Sequence, residues 1–219
     1  MTYAGKRTVD IVVILATAVL WLPLLLVTGI FVRVFMGAPI LFKQQRVGLN
    51  DRSFELLKFR TMTDPRSADG RMLPDSQRLS RIGRALRSSS LDELPQLINV
   101  LRGEMSLVGP RPLLPEYLAL YTSEHRRRHT VRPGLTGLAQ VSGRNALSWP
   151  DRLDLDIRYV DTCSIWNDLT ILVRTVGVGL LHRGVAESGM ATMTPFAGYE
   201  PRRPDSCERS RSCDPDQRP

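Results

Sequence analysis

Residues 11–36 read IVVILATAVLWLPLLLVTGIFVRVFM, an apolar stretch interrupted by a single cation, Arg33. About 20 apolar residues suffice for a helix to cross the hydrocarbon core of a bilayer. A core helix of a soluble protein is rarely apolar on every face over such a length, and a cleaved signal peptide has a shorter apolar core followed by a small-residue cleavage site. The stretch therefore predicts a membrane-inserted helix near the N-terminus.

Charges on both sides of this stretch predict how it is inserted. Lys6 and Arg7 precede it, Lys43 and Arg46 follow it, and basic flanks lie on the cytoplasmic side of a membrane. Pro23 lies near the middle, where proline bends or breaks a helix because it lacks a backbone N–H. A re-entrant helix hairpin that turns at Pro23 would keep both flanks cytoplasmic. A straight span with a proline kink is the alternative, since membrane helices tolerate proline.

The composition of the chain indicates which classes of partner it can bind. Its 219 residues suffice for one domain with a hydrophobic core. The net charge of +8 favours an anionic partner, which means nucleic acid, anionic lipid or a phosphorylated substrate. Aromatic residues make up only 6%, which disfavours single-stranded nucleic acid, because such sites stack bases on aromatic rings.

The patterns predict an α+β, mainly helical fold in three parts. Residues 1–40 form the re-entrant membrane helix hairpin, and residues 41–185 form a compact cytoplasmic domain with amphipathic interfacial helices and a small β element. Residues 186–219 are rich in proline, arginine, aspartate and serine and are predicted to be disordered. The three histidines lack zinc-ligand spacing and are predicted to lie at the surface.

Local periodicity predicts individual elements within the domain. Residues 53–62 begin with strand alternation that places Phe54, Leu56 and Lys58 on one face, and residues 64–75 are rich in turn formers and predict a loop. A basic amphipathic helix follows, with arginines at Arg78, Arg81, Arg84 and Arg87. Its basic face could contact anionic lipid or a phosphate, or it could simply face solvent. Helices are also predicted over 153–160 and over 164–183, the latter with an apolar stripe at Ile165, Leu169, Leu172 and Val176 and a stop at Gly184.

A further helix is predicted over residues 90–102. Its apolar stripe is Leu94, Leu97, Ile98 and Leu101, and Gly103 is the expected stop. The cap is either Ser90, which would form a capping box with Glu93, or Asp92. In both cases two adjacent carboxylates, Asp92 and Glu93, lie in the first helical turn, where the helix dipole would keep them ionised for nucleophilic attack or cation binding. Acidic residues there are at least as often purely structural.

Arginines and turn formers surround this carboxylate pair along the sequence. Guanidinium groups at Arg87, Arg111, Arg132 and Arg144 have the chemistry to clamp phosphates, and GPRP and RPGLTG contain the residues that fix loop backbones. The patterns GxxxxGK[ST] and GxGxxG are absent from the sequence, so neither a P-loop nor a dinucleotide fold is indicated.

Residues 90–112, SLDELPQLINVLRGEMSLVGPRP, resemble the signature of the bacterial sugar transferase family, and in particular its small monotopic polyprenyl-phosphate phosphoglycosyl transferases. The similarity continues in order through KRTVD at 6–10, KFRTM at 58–62, RPGLTGLAQVSGRN at 132–145 and YVDTCSIWNDLTILVRTV at 159–176. The similarity covers nearly all of residues 6–184. The chain resembles the small family members, which consist of the catalytic core alone. One departure is Leu22 before Pro23, where well-known members have a polar residue.

The resemblance implies a two-step reaction on the cytoplasmic face of the inner membrane. Asp92 would attack the β-phosphate of a UDP-sugar and release UMP, and a polyprenyl phosphate, undecaprenyl phosphate, would then accept the sugar phosphate. Glu93 would help to bind Mg²⁺ and assist in proton handling. Substrate contacts are predicted for Lys58, Arg60, Arg87, Arg111 and Arg144. The product would enter surface glycan assembly, with membrane lipid and downstream glycosyltransferases as further partners.

Two other functions fit part of the pattern. A membrane-anchored basic nucleic-acid- or lipid-binding module would account for the positive charge, but not for the Asp92–Glu93 pair or the ordered family resemblance. A metal-dependent phosphohydrolase would use the same carboxylates with water as the acceptor. The sequence therefore predicts the transferase, with no nucleic-acid partner.

Overall fold

The computed structural model describes residues 2–63, 78–143 and 147–180, together with residues 196 and 198. Arg144, Gly184, the loop predicted at 64–75 and nearly all of the tail lie outside the described residues. The helices are α1 Lys6–Ala16, α2 Ala18–Met36, α3 Arg81–Ser88, α4 Gln96–Arg102, α5 Ser123–Arg126, α6 Leu138–Ser142, α7 Trp149–Asp161 and α8 Ile165–Leu180. The strands are β1 Leu41–Val47, β2 Ser53–Phe59, β3 Ser106–Val108 and β4 Gly134–Thr136. The predicted mainly helical class with a small β element is confirmed.

The N-terminal apolar segment is interrupted at Thr17 rather than at Pro23. Thr17 has φ −94° and ψ 2° and separates α1 from α2, whereas Pro23 lies inside α2. Two side chains satisfy carbonyls at this interruption: the Thr17 hydroxyl donates to the Val13 carbonyl at 2.7 Å, and Trp21 Nε1 donates to the Ile14 carbonyl at 2.9 Å. The prediction of a turn at Pro23 is therefore wrong, because α2 accommodates the proline.

Both ends of this segment pack against the domain, while its middle is exposed. Ile14 belongs to the main core, and Val32 and Met36 pack with Phe59 and Leu86. Between these ends Trp21 and Leu25 also touch the domain, and the exposed apolar side chains are Leu15, Val19, Leu20, Leu22, Leu24, Leu26, Val27, Ile30 and Phe31. Among the described residues α2 is the one helix long and apolar enough to cross a membrane, and only 17% of its most apolar 18-residue window is buried. It is therefore not a core helix.

Helix α1 carries a polar face that docks it onto the domain. Lys6 Nζ lies 2.5 Å from Asp168 Oδ2 in a buried ion pair, and Asp10 accepts hydrogen bonds from Ser106 Oγ at 2.8 Å and from the Leu107 N–H at 3.1 Å. Arg7 donates to the carbonyl of Leu101, in the last turn of α4, at 2.8 Å. The KRTVD motif is thus structural and joins α1 to β3, α4 and α8.

A β-hairpin forms the first sheet. Strands β1 and β2 are antiparallel, with Phe42 opposite Lys58, Gln44 opposite Leu56 and Arg46 opposite Phe54. Residues opposite one another share a face, so the predicted face of Phe54, Leu56 and Lys58 is confirmed, and β2 ends at Phe59 rather than at 62. Strand β1 was not predicted, because its centre, KQQR, is polar.

A second sheet pairs β3 with β4 in parallel. Its two strands have three residues each, too few for a sequence pattern to reveal. Two glycines let the GPRP and RPGLTG loops meet here. A Cβ atom at Gly134 would lie 2.1 Å from the backbone nitrogen of Gly109, so both loops depend on the missing side chain.

The helix predicted over 90–102 is shorter than expected. Ser90 has φ 58° and makes no capping bond, Leu91–Glu93 form a separate 3-10 turn, and α4 begins only at Gln96. Both proposed caps are therefore wrong, whereas the stop at Gly103 is confirmed by its φ of 83°. The buried face of α4 consists of Gln96, Leu97, Asn99 and Val100. Of the predicted stripe, Leu97 is buried and Leu94 packs against the core, whereas Leu101 is exposed.

The remaining helices follow the predicted order. Ser80 caps the basic helix α3 through the Gly83 N–H, and α7 and α8 cover the two predicted C-terminal helices. In the predicted stripe of α8, Ile165, Leu169 and Val176 are about half exposed or more, whereas Leu172 packs against the main core beside the buried Ile171. The inner face of α8 combines these apolar contacts with the buried ion pair of Asp168 and Lys6.

Candidate active site

The two adjacent carboxylates lie on the 3-10 turn Leu91–Glu93, between α3 and α4. Leu91 and Leu94, on either side of the pair, pack into the cluster formed by Phe59 and residues of α2 and α3. Asp92 is buried and Glu93 is largely buried. Because the leucines are fixed in this cluster, the turn holds both carboxylates against the hairpin.

Two cations bind the same oxygen of Glu93. Lys58 Nζ lies 2.7 Å from Glu93 Oε1, and Arg111 Nη2 lies 2.6 Å from it. Arg111 is itself positioned by Arg128, which donates to the Arg111 carbonyl at 2.7 Å and forms a buried ion pair of 2.7 Å with Asp156. The structure thus brings together residues that lie 35 and 18 positions from Glu93 in the chain.

Arg87 completes the positive side of the site. It lies in the last turn of α3, its Nε donates to Thr61 Oγ1 at 3.0 Å, and its charge acts on Asp92. Among the described residues no cation lies within ion-pair distance of Asp92. Three of the five cations predicted to contact substrate, Lys58, Arg87 and Arg111, therefore gather around Asp92 and Glu93, the carboxylate dyad.

The dyad is electrostatically asymmetric. Burial, together with the charge of Glu93, raises the pKa of Asp92 to about 6, against the opposing effect of Lys58, Arg111 and Arg87. Burial acts in the same direction on Glu93, but Arg111 and Lys58 outweigh it and hold the pKa of Glu93 well below its ordinary value. The pair lies in the 3-10 turn before α4 and not in the α-helix itself, and the predicted effect of a helix dipole on it stays a prediction. Neighbouring cations keep Glu93 ionised.

Two of the arginines singled out in the sequence have structural contacts. Arg60 donates to the carbonyls of Met36 at 2.5 Å and Ala38 at 2.8 Å, which fixes the end of α2 to β2. Arg132 donates to the carbonyl of Gly103 at 2.9 Å. The substrate role predicted for Arg60 stays a prediction, and the structure gives its guanidinium a different set of partners. Arg144 lies outside the described residues.

Asn99 was missed by the sequence analysis. It is fully buried in α4, its Oδ1 accepts from the Leu57 N–H at 3.0 Å, and its Nδ2 donates to the Glu55 carbonyl at 2.8 Å. These bonds join β2 to α4 and so set Lys58 opposite the dyad. A polar residue between Ile98 and Val100, within an otherwise apolar run, is the signal that could have identified it.

His129 was predicted at the surface, and this prediction is wrong. Its side chain is only 6% exposed, and Nδ1 lies 2.6 Å from Asp51 Oδ1. Arg126 binds the other oxygen of Asp51 at 2.8 Å. Burial and the charge of Arg128 lower the pKa of His129 to about 4, despite Asp51. The pair joins the turn of the hairpin to the segment that carries Arg128.

The dyad suits a Mg²⁺ ion that takes most of its ligands from a substrate. Among the described residues there is no cluster of three or more His, Cys, Asp or Glu side chains that could hold a metal. Mg²⁺ bound through one or two carboxylates, with phosphate and water oxygens completing the shell, does not need such a cluster. One oxygen of Glu93 is taken by Lys58 and Arg111, which leaves its second oxygen and Asp92 for a metal.

Comparisons with known proteins find related sequences. Residues 1–182 match the family described as bacterial sugar transferase. The uncharacterized sugar transferase EpsL of Bacillus subtilis is 51% identical over 175 residues, which are 80% of this chain and 87% of that protein. The UDP-glucose:undecaprenyl-phosphate glucose-1-phosphate transferase of Caulobacter vibrioides is 43% identical over 183 residues, 78% of this chain and 68% of that protein. The exopolysaccharide production protein ExoY of Rhizobium meliloti is 38% identical over 197 residues, 82% of this chain and 87% of that protein.

Proposed function

The chain belongs to the bacterial sugar transferase family, and from this membership we propose that it transfers a hexose 1-phosphate from a UDP-sugar to undecaprenyl phosphate. Donor and acceptor of this kind are named in the Caulobacter relative, and the name of the Rhizobium relative supports a place in surface glycan synthesis. The observation that carries the proposal is the buried Asp92 beside Glu93, with Lys58 and Arg111 on one oxygen of Glu93.

The proposed reaction has two displacements at one phosphorus. A carboxylate oxygen of Asp92 attacks the β-phosphorus of the donor, the bond from this phosphorus to the bridging oxygen breaks, and UMP leaves with the electron pair. A phosphate oxygen of the acceptor then attacks the same phosphorus. The bond to Asp92 breaks, its carboxylate is regenerated, and the sugar is left on a polyprenyl diphosphate.

The neighbouring cations suit this chemistry. A carboxylate attacks a phosphate only when the negative charge of the phosphate oxygens is offset, which the guanidinium and ammonium groups of Lys58, Arg87 and Arg111 would do. Because Lys58 and Arg111 also neutralise Glu93, that residue repels an incoming phosphate less. Glu93 would hold Mg²⁺, which when bound supplies further charge neutralisation at the phosphate.

The membrane part of the proposal is a re-entrant segment with the domain on the cytoplasmic face. Support comes from the packing: α1 docks on the domain through Ile14 and α2 through Trp21, Leu25, Val32 and Met36, while most other apolar side chains between Ile14 and Val32 are exposed. The interruption at Thr17 gives a place for the change of direction. UDP-sugars are made in the cytoplasm, and the domain would meet both substrates there.

The test is intact-mass analysis of the purified chain incubated with a panel of UDP-sugars and no acceptor. The wild type should gain the mass of one sugar phosphate, and Asp92→Asn should not, because the amide is not a nucleophile although its size is nearly unchanged. Asp154→Asn, at an exposed position on α7, is the matched control and should behave as the wild type. Full turnover by Asp92→Asn would refute the covalent mechanism.

A further inference from the structure

Arg46 lies on the same face of the hairpin as Lys58, which binds the dyad. The register places Phe42 opposite Lys58 and Arg46 opposite Phe54, so both cations stand on one side of the β1–β2 ladder. Arg46 lies four positions after Phe42, which is about 13 Å of extended strand. Two long basic side chains at such positions can reach different groups of one elongated anion.

The guanidinium of Arg46 is half-buried and incompletely paired. Its Nη2 donates to Gln44 Oε1 at 2.7 Å, while its buried Nε has no hydrogen-bond partner. Within the part of the chain that the structure describes, no carboxylate lies within ion-pair distance of it. A buried N–H group of arginine that lacks a hydrogen-bond acceptor destabilises the fold, unless a ligand supplies the acceptor.

Arg46 and Arg111 are brought to the same place by the backbone. The N–H of Val47 donates to the carbonyl of Leu113 at 3.1 Å, which holds the segment after Arg111 against the end of β1. Burial and the charge of Arg111 lower the pKa of Arg46 to about 10, so both groups remain cationic at neutral pH. The charges of Glu116 and Glu93 act against the repulsion between Arg46 and Arg111, but neither carboxylate is hydrogen-bonded to Arg46.

We propose that Arg46 and Arg111 form a second phosphate subsite beside the dyad, in which the half-buried guanidinium of Arg46 donates to phosphate oxygens. The subsite rests on the proposed function, because its ligand is a phosphate of one of the two substrates. That phosphate is either the one that leaves with UMP or the one on the prenyl acceptor. Arg46 would bind it without touching the phosphorus at which the bonds change, and is therefore a binding residue.

Binding measurements test the subsite without any turnover. Titration calorimetry of the detergent-solubilised chain with UMP and with farnesyl phosphate should show at least about tenfold weaker binding of one of them to Arg46→Gln. Arg46→Lys should lose part of this affinity, because it keeps the charge but not the planar fork. Arg52→Gln, at an exposed position in the turn of the same hairpin, should bind both ligands as the wild type does.

The titrations with UMP and with farnesyl phosphate together identify which substrate supplies the phosphate. Weaker UMP binding, together with slower formation of the phosphosugar adduct, assigns the subsite to the donor. Weaker farnesyl phosphate binding, with normal adduct formation and slow transfer from the adduct, assigns it to the acceptor. Binding of both ligands within twofold of the wild type in Arg46→Gln and Arg46→Lys would overturn the subsite. If the wild type forms no phosphosugar adduct, the covalent mechanism is refuted. The binding of UMP and farnesyl phosphate to the Arg46 variants then still decides whether the subsite exists.

Discussion

The backbone N–H of Leu57 donates to Oδ1 of Asn99 at 3.0 Å, which ties the hairpin to the helix that follows the dyad. The next residue along β2 is Lys58, and the 3-10 turn before α4 carries Asp92 and Glu93. A single buried amide therefore sets the distance between the cation and the carboxylates. Precise placement of this kind is needed because charged groups act on phosphoryl transfer only when they are already positioned.

Replacement of Lys58 tests the contribution of this cation. Lys58→Met should slow formation of the phosphosugar adduct by about 100-fold, because Glu93 loses one of its two counter-charges and the donor loses a phosphate contact. Lys43→Met is the control, since Lys43 pairs with Glu55 at the exposed side of the same hairpin. Quench-flow with mass detection should show near-normal kinetics for the control. Equal rates in both variants would remove Lys58 from the site.

Arg111→Lys is expected not to be conservative. Lysine keeps the charge but loses the planar fork with which arginine binds a carboxylate and a phosphate together. We expect kcat/KM to fall by about tenfold or more, with an unchanged melting temperature. The exposed Arg127, which pairs with Glu124 and Asp161, provides the control Arg127→Lys. Unchanged kinetics in Arg111→Lys would show that its fork is not used.

Two glycine substitutions are expected to have opposite effects on stability, because one glycine lies where two loops meet closely and the other lies in open space on a helix. Gly134→Ala should destabilise the fold, because its Cβ would lie 2.1 Å from the nitrogen of Gly109. Gly177→Ala in α8 should stabilise by up to about 1 kcal/mol, since nothing lies within 4 Å of that Cβ and alanine favours a helix. Thermal unfolding in detergent measures both, and an unchanged melting temperature in Gly134→Ala would contradict the close contact.

His129 predicts how stability depends on pH. Its pKa is about 4 in the folded chain, against an ordinary value of 6.5. Between these values the unfolded chain binds more protons, so the contribution of neutral His129 is complete above pH 6.5 and is lost as the pH falls toward 4. His129→Gln should therefore show a weaker loss of unfolding free energy from pH 7 to pH 4.5 in chemical denaturation. Parallel curves for the variant and the wild type would exclude this origin.

The direction of the N-terminal segment is tested by cysteine labelling. Single cysteines at Thr2 and Arg52, in a chain whose three natural cysteines have been replaced, should resist an impermeant thiol reagent in intact cells and react after lysis. Arg52 is suited because it is exposed with φ −72°, whereas Asn50 in the same turn has φ 52°. Labelling of the Thr2 site from outside would show a straight span. The proposed chemistry at Asp92 would be unaffected by that result.

Local patterns determined much of this protein. The continuous apolar run of residues 11–36 predicted the exposed helix α2, and the three-residue arginine repeat predicted α3. Strand alternation placed Phe54, Leu56 and Lys58 on one face, as the structure has them. Ordered motifs predicted the family, which the comparisons confirmed. These features depend on neighbours within a few residues, for which the 3.6- and 2-residue periods hold.

The tertiary structure decided the rest, because the deciding contacts join residues far apart in the chain. Glu93 is neutralised by Lys58 and Arg111, which lie 35 and 18 positions away. Asp168 faces inward on α8 because Lys6 reaches it across 162 positions, whereas three of the four residues of the predicted apolar stripe are exposed. Burial and neighbouring charge, which sequence periodicity does not encode, set the pKa values of the dyad. The sequence therefore determined which groups are present, and packing determined which of them meet.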